Sequence, residues 1–251
     1  LAPFELRHYF HVSLESHPDL QSELSAFAKR EGHNIVFTQR QQPTWRVCTA
    51  YALCELIKTA LADHHIHDKV LIHTEADLLV SSKAKDQLQN HRIGCGNRAF
   101  RYDKKSAWKW SAPAVADPRL KRFTIEMLDG DFTKLRSGRV CGAYMPWSVF
   151  KTFGVIYNYF FNDDYFKRKP HRIWPLAEVA IPSILHLLED QNDSFEPPLI
   201  KVPKGKKVSS KTLDRLLEGG NQYGLKKIAR NTDSEAFHYL TQLQAQAAEE
   251  A

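Results

Sequence analysis

"HTEADLLV", residues 73–80, follows "DKVLI" (68–72), and the reading of this junction decides the fold. Val70, Leu71 and Ile72 make a short β-run that ends by presenting two carboxylates, Glu75 and Asp77, one residue apart. Side chains two apart in a strand share a face, so the pair points at one spot where the run gives out. Like charges that close repel unless water or a cation separates them. A surface turn can carry such a pair for solubility alone; a strand end that receives a ligand is the sharper reading, and the flanking sequence has to choose.

Upstream, the pattern alternates. "HYFHV" (8–12) reads as a strand and "PDLQSELSAFAKR" (18–30) as a helix with Leu20, Leu24 and Phe27 on one face. "NIVFT" (34–38) reads as the next strand, "WRVCTAYALCELIKTALA" (45–62) as a long, mostly buried helix, and "KVLIHT" (69–74) as a third strand. Strand, helix, strand, helix, strand implies a parallel sheet with crossover helices. Ligands in such sheets bind beyond the carboxyl ends of the strands, which is where Glu75 and Asp77 fall.

From residue 91 the rhythm changes. "GCGNRAFRYDKKSAWKWSAPAVADPRLKR" (94–122) is rich in Gly, Pro, Trp and basic residues and reads as loops and short strands. Helices resume in 146–161 and 176–190, where Pro182 is expected to kink the second or delay its start. "PPLIKVPKGKKVSSK" (197–211) is a basic linker, followed by short amphipathic pieces. The expected class is α/β: a Rossmann-type central sheet with crossover helices and a helical C-terminal tail, with residues 1–196 as catalytic domain and 197–251 as extension.

Composition sets outer bounds. A chain of 251 residues with 43% hydrophobic content can bury a full core, and the formal charge of +6 favours anionic partners. Four cysteines with no CxxC pair and no secretory leader argue against a disulfide framework or zinc knuckle, and point to a reducing cytoplasm. No run approaches the roughly 18 apolar residues of a membrane span, so any membrane association would be peripheral, as at the inner face of a bacterial membrane.

The chemistry-bearing groups can be read individually. A hard divalent cation, magnesium or manganese, can be held by one or two carboxylates with phosphate oxygens completing its shell, which suits Glu75 and Asp77. The histidines of "HHIH" (64–67) precede a strand and have no second cluster of ligands at metal spacing, so they read as a solvated loop. Arg98, Arg101, Lys104, Lys105, Trp108, Lys109 and Trp110 admit three readings: a nucleic-acid surface, a loop with tryptophans tucked into the core, or a platform for a sugar and a diphosphate.

Taken together, strand, ExD and short apolar strand resemble the metal and nucleotide-sugar motif of GT-A fold glycosyltransferases of bacterial type. "CGAYMPWSVFKTFG" (141–154) is similar to the segment that lines the acceptor site of those enzymes before a helix, and "RIWPLAEVAIPSIL" (172–185) to their late acidic motif. The general layout is also similar to core-2 and I-branching transferases. The resemblance covers residues 8–190 and implies a transferase moving a sugar from a nucleotide-diphosphate donor to a carbohydrate acceptor, in surface polysaccharide or glycoconjugate synthesis.

It assigns Glu75 and Asp77 to Mn2+ or Mg2+ and the diphosphate, with Arg98 and Arg101 on the same ligand. Glu178 becomes the catalytic base, and Trp108, Trp110, Tyr144, Trp147 and His171 become substrate contacts. Two departures stand out: the chain opens at what looks like the second strand of such a domain, and core-2 type enzymes work without metal. Glu178 also has a plainer reading, as an acid suited to a helix macrodipole. Its apolar neighbours Trp174, Leu176, Val179 and Ile181 argue for a carboxylate of raised basicity. The strongest rival is a nucleic-acid-binding protein using the basic and aromatic run, and next comes a metal-dependent phosphoesterase, for which no second ligand set is visible.

Overall fold

The computed structural model describes residues 5–44, 49–74, 77–79, 81, 83–101, 108–162, 174–189, 195–202, 208–218, 223–226 and 233–249. In chain order these form β1 (Arg7–Phe10), α1 (Leu20–Glu31), β2 (Asn34–Phe37), α2 (Ala50–Ala62), β3 (Lys69–Ile72), β4 (Asp77–Leu79) and α3 (Ala84–Asn90). There follow β5 (Arg98–Ala99), α4 (Ser111–Ala116), α5 (Pro118–Met127), a 3-10 turn (Phe132–Lys134), β6 (Arg136–Ser137), β7 (Ala143–Pro146) and α6 (Trp147–Phe160). The last elements are α7 (Ala177–Leu188), β8 (Ile200–Lys201), α8 (Ser210–Glu218), β9 (Gly224–Lys226) and α9 (Glu235–Glu249). The class is mixed α/β, and the described strands form small sheets of two or three.

The chain divides into two interleaved units. The first comprises Leu1–His67, Asn97–Gly138 and Trp147–Asp190; the second comprises Asp68–Gly96, Arg139–Pro146 and Gln191–Ala251.

In the first unit, β1 and β2 pair in parallel with His8 opposite Ile35, joined by α1 as the alternation predicts. Helices α2, α5, α6 and α7 form its core, with Ile57, Phe123, Phe153, Tyr157, Val179 and Ile181 fully buried. A Cβ at Gly154 would stand 2.7 Å from Ile57 Cγ2, so glycine is what lets α6 and α2 approach. Asp117 caps α5 by accepting the Arg119 N–H at 2.9 Å, with Pro118 in the first turn. Its carboxylate also takes Arg119 Nη2 at 2.7 Å and Trp174 Nε1 at 2.9 Å, while Arg119 Nη1 donates to the Tyr51 hydroxyl at 3.0 Å. Burial alone would pull the Arg119 value down; Asp117 and Tyr51 hold it above the ordinary arginine value.

In the second unit, β3 pairs antiparallel with β7, Leu71 opposite Tyr144, and β4, β9 and β8 form a three-stranded sheet. Ala84, Tyr144, Leu199 and Tyr223 make one core cluster, and Leu213, Leu225 and Ala236 another. Gly142 adopts φ +77°, and a Cβ there would lie 2.4 Å from the Ile200 backbone nitrogen.

Three expectations are corrected. The third strand does not extend the parallel β1–β2 pair: β3 exchanges hydrogen bonds with β7, an antiparallel partner 70 or so residues downstream that periodicity alone cannot name. The stretch read as loops and short strands contains α4 and α5, because Asp117 and Pro118 start a helix that the surrounding Trp, Pro and Lys disguise. Pro182 lies within α7 and does not delay its start. Proline has no N–H for the carbonyl four residues back, that of Glu178, and this carbonyl instead accepts the Gly138 N–H at 2.9 Å.

Candidate functional site

The Gly138 bond fixes the setting of Glu178. Strands β5 and β6 pair antiparallel, Arg98 opposite Ser137 and Ala99 opposite Arg136. β6 then docks on α7 at two points: Gly138 N–H to the Glu178 carbonyl, and Arg136 N–H to Ser183 Oγ at 2.9 Å, with the Ser183 hydroxyl donating back to the Arg136 carbonyl at 3.2 Å. Ser183 is 1% exposed, so this exchange takes place inside the unit.

Glu178 sits in the first turn of α7 and is half-buried, while Leu176, Ala177, Val179 and Ala180 around it are buried. The helix start is therefore anchored by buried apolar neighbours on both sides of the half-buried Glu178. Arg98 is exposed and lies one cross-strand step, at Ser137, from the Gly138 that holds the Glu178 backbone. Arg101 is also exposed, and its carbonyl accepts the Ser111 hydroxyl at 3.0 Å.

The tryptophans divide. Trp108 is half-buried, edge-on to Phe100 (6.0 Å) and to the buried Trp174 (6.4 Å), so its ring helps close the core beneath the start of α7. Trp110 precedes α4 with the Lys109 ammonium 4.8 Å from its ring centre. Trp147 opens α6, stacked on Phe150 at 5.3 Å and edge-on to His67 at 5.0 Å. His67 is thus no solvated-loop residue: its Nε2 lies 2.9 Å from the Tyr9 hydroxyl, which itself donates to Asp63 at 2.6 Å. Arg7 grips the same carboxylate through Nε and Nη2 (2.5 and 2.8 Å), and this hydrogen bonding holds Asp63 below the usual carboxylate range. Burial first, and Asp63 second, push the Tyr9 phenol up to about 12. Among the described residues no group of three or more His, Cys, Asp or Glu converges as a metal site.

Asp77 and Tyr144 belong to the second unit. Tyr144 has no exposed surface; its hydroxyl accepts from Gln87 Nε2 at 3.0 Å, and Gln87 Oε1 accepts from Tyr223. It is a core tyrosine, so its assignment to an acceptor surface is corrected. Asp77 stands directly across β4 and β9 from Lys226. One carboxylate oxygen accepts the Thr74 N–H at 2.8 Å, and the other meets Lys226 Nζ at 3.1 Å. That ammonium also donates to Thr74 Oγ1 at 2.7 Å and Cys141 Sγ at 3.2 Å. Burial would lower the Lys226 value, but Cys141 and Asp77 beside it hold it above the ordinary lysine value.

A hard divalent cation wants several anionic or neutral oxygens. Of the two carboxylates predicted to hold one, Asp77 is described, and it is matched to the Lys226 ammonium. Glu75 and His171 lie outside the described residues.

Lys226 and Cys141 are the functional groups that sequence reasoning passed over. Lys226 stands 149 residues from Asp77, and no local pattern announces the pair. Among the described residues no helix is long and apolar enough to cross a membrane. Comparison with known proteins finds no matching family model, curated relative or solved structure.

Proposed function

We propose that the chain is a GT-A-like transferase that moves a sugar from a nucleotide-diphosphate donor to a carbohydrate hydroxyl, with Glu178 as the base. The observation that carries this reading is the setting of Glu178: a half-buried acid on a helix start whose neighbours are buried and whose backbone is pinned by Gly138. A positioned carboxylate in apolar company is what proton abstraction from an acceptor hydroxyl requires. In the step, that hydroxyl gives its proton to Glu178 as its oxygen bonds to the anomeric carbon. The bond from that carbon to the diphosphate oxygen breaks, and the nucleoside diphosphate leaves with the electron pair. A single displacement of this kind inverts the anomeric centre.

The leaving diphosphate calls for positive charge. Arg98 and Arg101, exposed in the same unit as Glu178, are the cations this reading assigns to it. No step is routed through a metal ion. The arrangement of Trp108, with its ring edge against Trp174 and Phe100, gives less support to a base-stacking surface for nucleic acid, which needs open ring faces.

The test is release of nucleoside diphosphate from a panel of UDP-, GDP- and TDP-sugars offered with glycan acceptors. Glu178→Gln should leave donor affinity nearly intact and cut turnover by about 10² to 10⁴-fold. A helix-dipole acid behaves otherwise: its neutralisation costs about 0.3 to 1 kcal/mol of stability and spares turnover. Wild-type turnover in Glu178→Gln, or no release from any donor, overturns the reading.

A further inference from the structure

The three protons of the Lys226 ammonium meet three acceptors: Thr74 Oγ1 at 2.7 Å, Asp77 Oδ1 at 3.1 Å and Cys141 Sγ at 3.2 Å. An ammonium has donors only, so the sulfur is the acceptor in its contact. A thiol sulfur accepts weakly and a thiolate strongly, and cations beside a cysteine favour the thiolate. Cys141 is partly exposed, in the turn just before β7. Cys54 and Cys95 provide the contrast. Both are buried, Cys54 donates to the Phe161 carbonyl at 3.3 Å, and burial pushes Cys95 up to about 12.

We propose that Cys141 is a peroxide-reactive modification site, its thiolate held by Lys226 while Asp77 competes for the same ammonium. The thiolate sulfur attacks one oxygen of hydrogen peroxide, the S–O bond forms as the O–O bond breaks, and the other oxygen departs as hydroxide, which is neutralised by the acid form of the buffer. Sulfur is oxidised by two electrons to the sulfenic acid and the peroxide is reduced by two. The product carries no charge, so Lys226 is released to Asp77 and Thr74. The site shares Asp77 with the pair that the resemblance assigns to a cation but uses neither Glu178 nor Arg98 nor Arg101, and stands whether or not sugar transfer is found.

The experiment is peroxide oxidation of the intact protein with dimedone present, the sulfenic acid adduct being quantified at each cysteine by peptide mass spectrometry. Cys141 should be trapped at least about tenfold faster than Cys95, which is buried and has no cation beside it among the described residues. Lys226→Gln should slow Cys141 by about tenfold, because the cation beside the sulfur is gone, and Lys226→Arg should restore most of the rate. Asp77→Asn should act in the opposite direction and speed trapping, because the ammonium then faces one anion instead of two. These opposed signs separate an electrostatic role from loss of packing, which would expose and accelerate Cys141 in every variant. Trapping of Cys141 no faster than Cys95, or equal rates in the wild type, Lys226→Gln and Asp77→Asn, overturns the proposal. Should Lys226→Gln fail to fold, the direction of the Asp77→Asn change and the wild-type contrast with Cys95 decide it.

Discussion

Replacing Asp117 with Asn would remove a buried charge and one acceptor at the joint that seats the Glu178 helix. Asp117 and Arg119 are a buried pair, with side chains 2% and 8% exposed, and Trp174 closes on the same carboxylate. Asparagine fills the same space, and its oxygen in the Oδ1 position can still accept the Arg119 N–H, so the cap of α5 survives. What is lost is the countercharge to Arg119 and the acceptor for Trp174 Nε1 and Arg119 Nη2, which then face an amide NH2, donor against donor. Breaking a buried pair in this way costs about 3 to 5 kcal/mol, since the guanidinium stays inside without compensation. For a chain of this size each kcal/mol moves the midpoint by about 2 to 4 °C, so Tm should fall by roughly 6 to 20 °C.

Urea unfolding followed by tryptophan fluorescence measures the loss directly, with Trp174 at the perturbed site. Adding Arg119→Met to Asp117→Asn should return part of the stability, because the double variant leaves no orphan charge and neighbouring residues couple by about 0.5 to 3 kcal/mol. A change within about 0.5 kcal/mol in Asp117→Asn, the range of an ordinary surface substitution, would refute the reasoning. So would a double variant that loses the full sum of the two single losses.

Two further outcomes follow from the geometry. Asp63 is held below its usual range by Arg7 and Tyr9, so its stabilisation is present above the unfolded carboxylate range, near pH 4, and is lost as pH falls through the lower folded value. Asp63→Asn should therefore be less stable than wild type at pH 7 by chemical denaturation, with the gap closing as pH falls below the ordinary carboxylate range; a gap that persists in strong acid contradicts the assignment. Gly142→Ala should destabilise the second unit by more than the roughly 1 to 2 kcal/mol of left-handed backbone strain, because its Cβ would also stand 2.4 Å from the Ile200 nitrogen. Unchanged thermal unfolding would show that the turn relaxes.

The sequence was most legible where contacts are local. The Leu20, Leu24 and Phe27 spacing placed α1, and the apolar runs placed β1, β2, β3, α6 and α7 within a few residues of their observed ends. It was least legible where partners are distant. Strand β3 looks like any buried strand whether its neighbour is parallel or antiparallel, and its pairing with β7 is written in no periodicity. Helix α5 carried a readable start, Asp117 at the cap and Pro118 in the first turn, that was missed amid basic and aromatic residues.

The candidate site divides in the same way. Glu178 was visible because its apolar brackets are adjacent in sequence, and the structure keeps those brackets buried. Its support was not, because Gly138 reaches it across 40 residues through a carbonyl that only a helical Pro182 leaves open. Asp77 was singled out from its place after a strand, but its partner Lys226 comes from the opposite end of the chain.

The interleaving of the units carries a consequence for how the molecule is made. The chain passes between them five times, after residues 67, 96, 138, 146 and 190. During synthesis β1 and β2 can pair as soon as the intervening α1 has emerged, whereas β4 must wait for β9, with Asp77 opposite Lys226. Until then the edge that β4 offers β9 has only water or other proteins to meet, and Asp77 keeps its local Thr74 N–H but lacks the Lys226 ammonium. Closure over such a separation is entropically slow, so a ribosome stalled before residue 224 would hold out a nascent chain with one half ready to fold and the other exposed to chaperones and proteases.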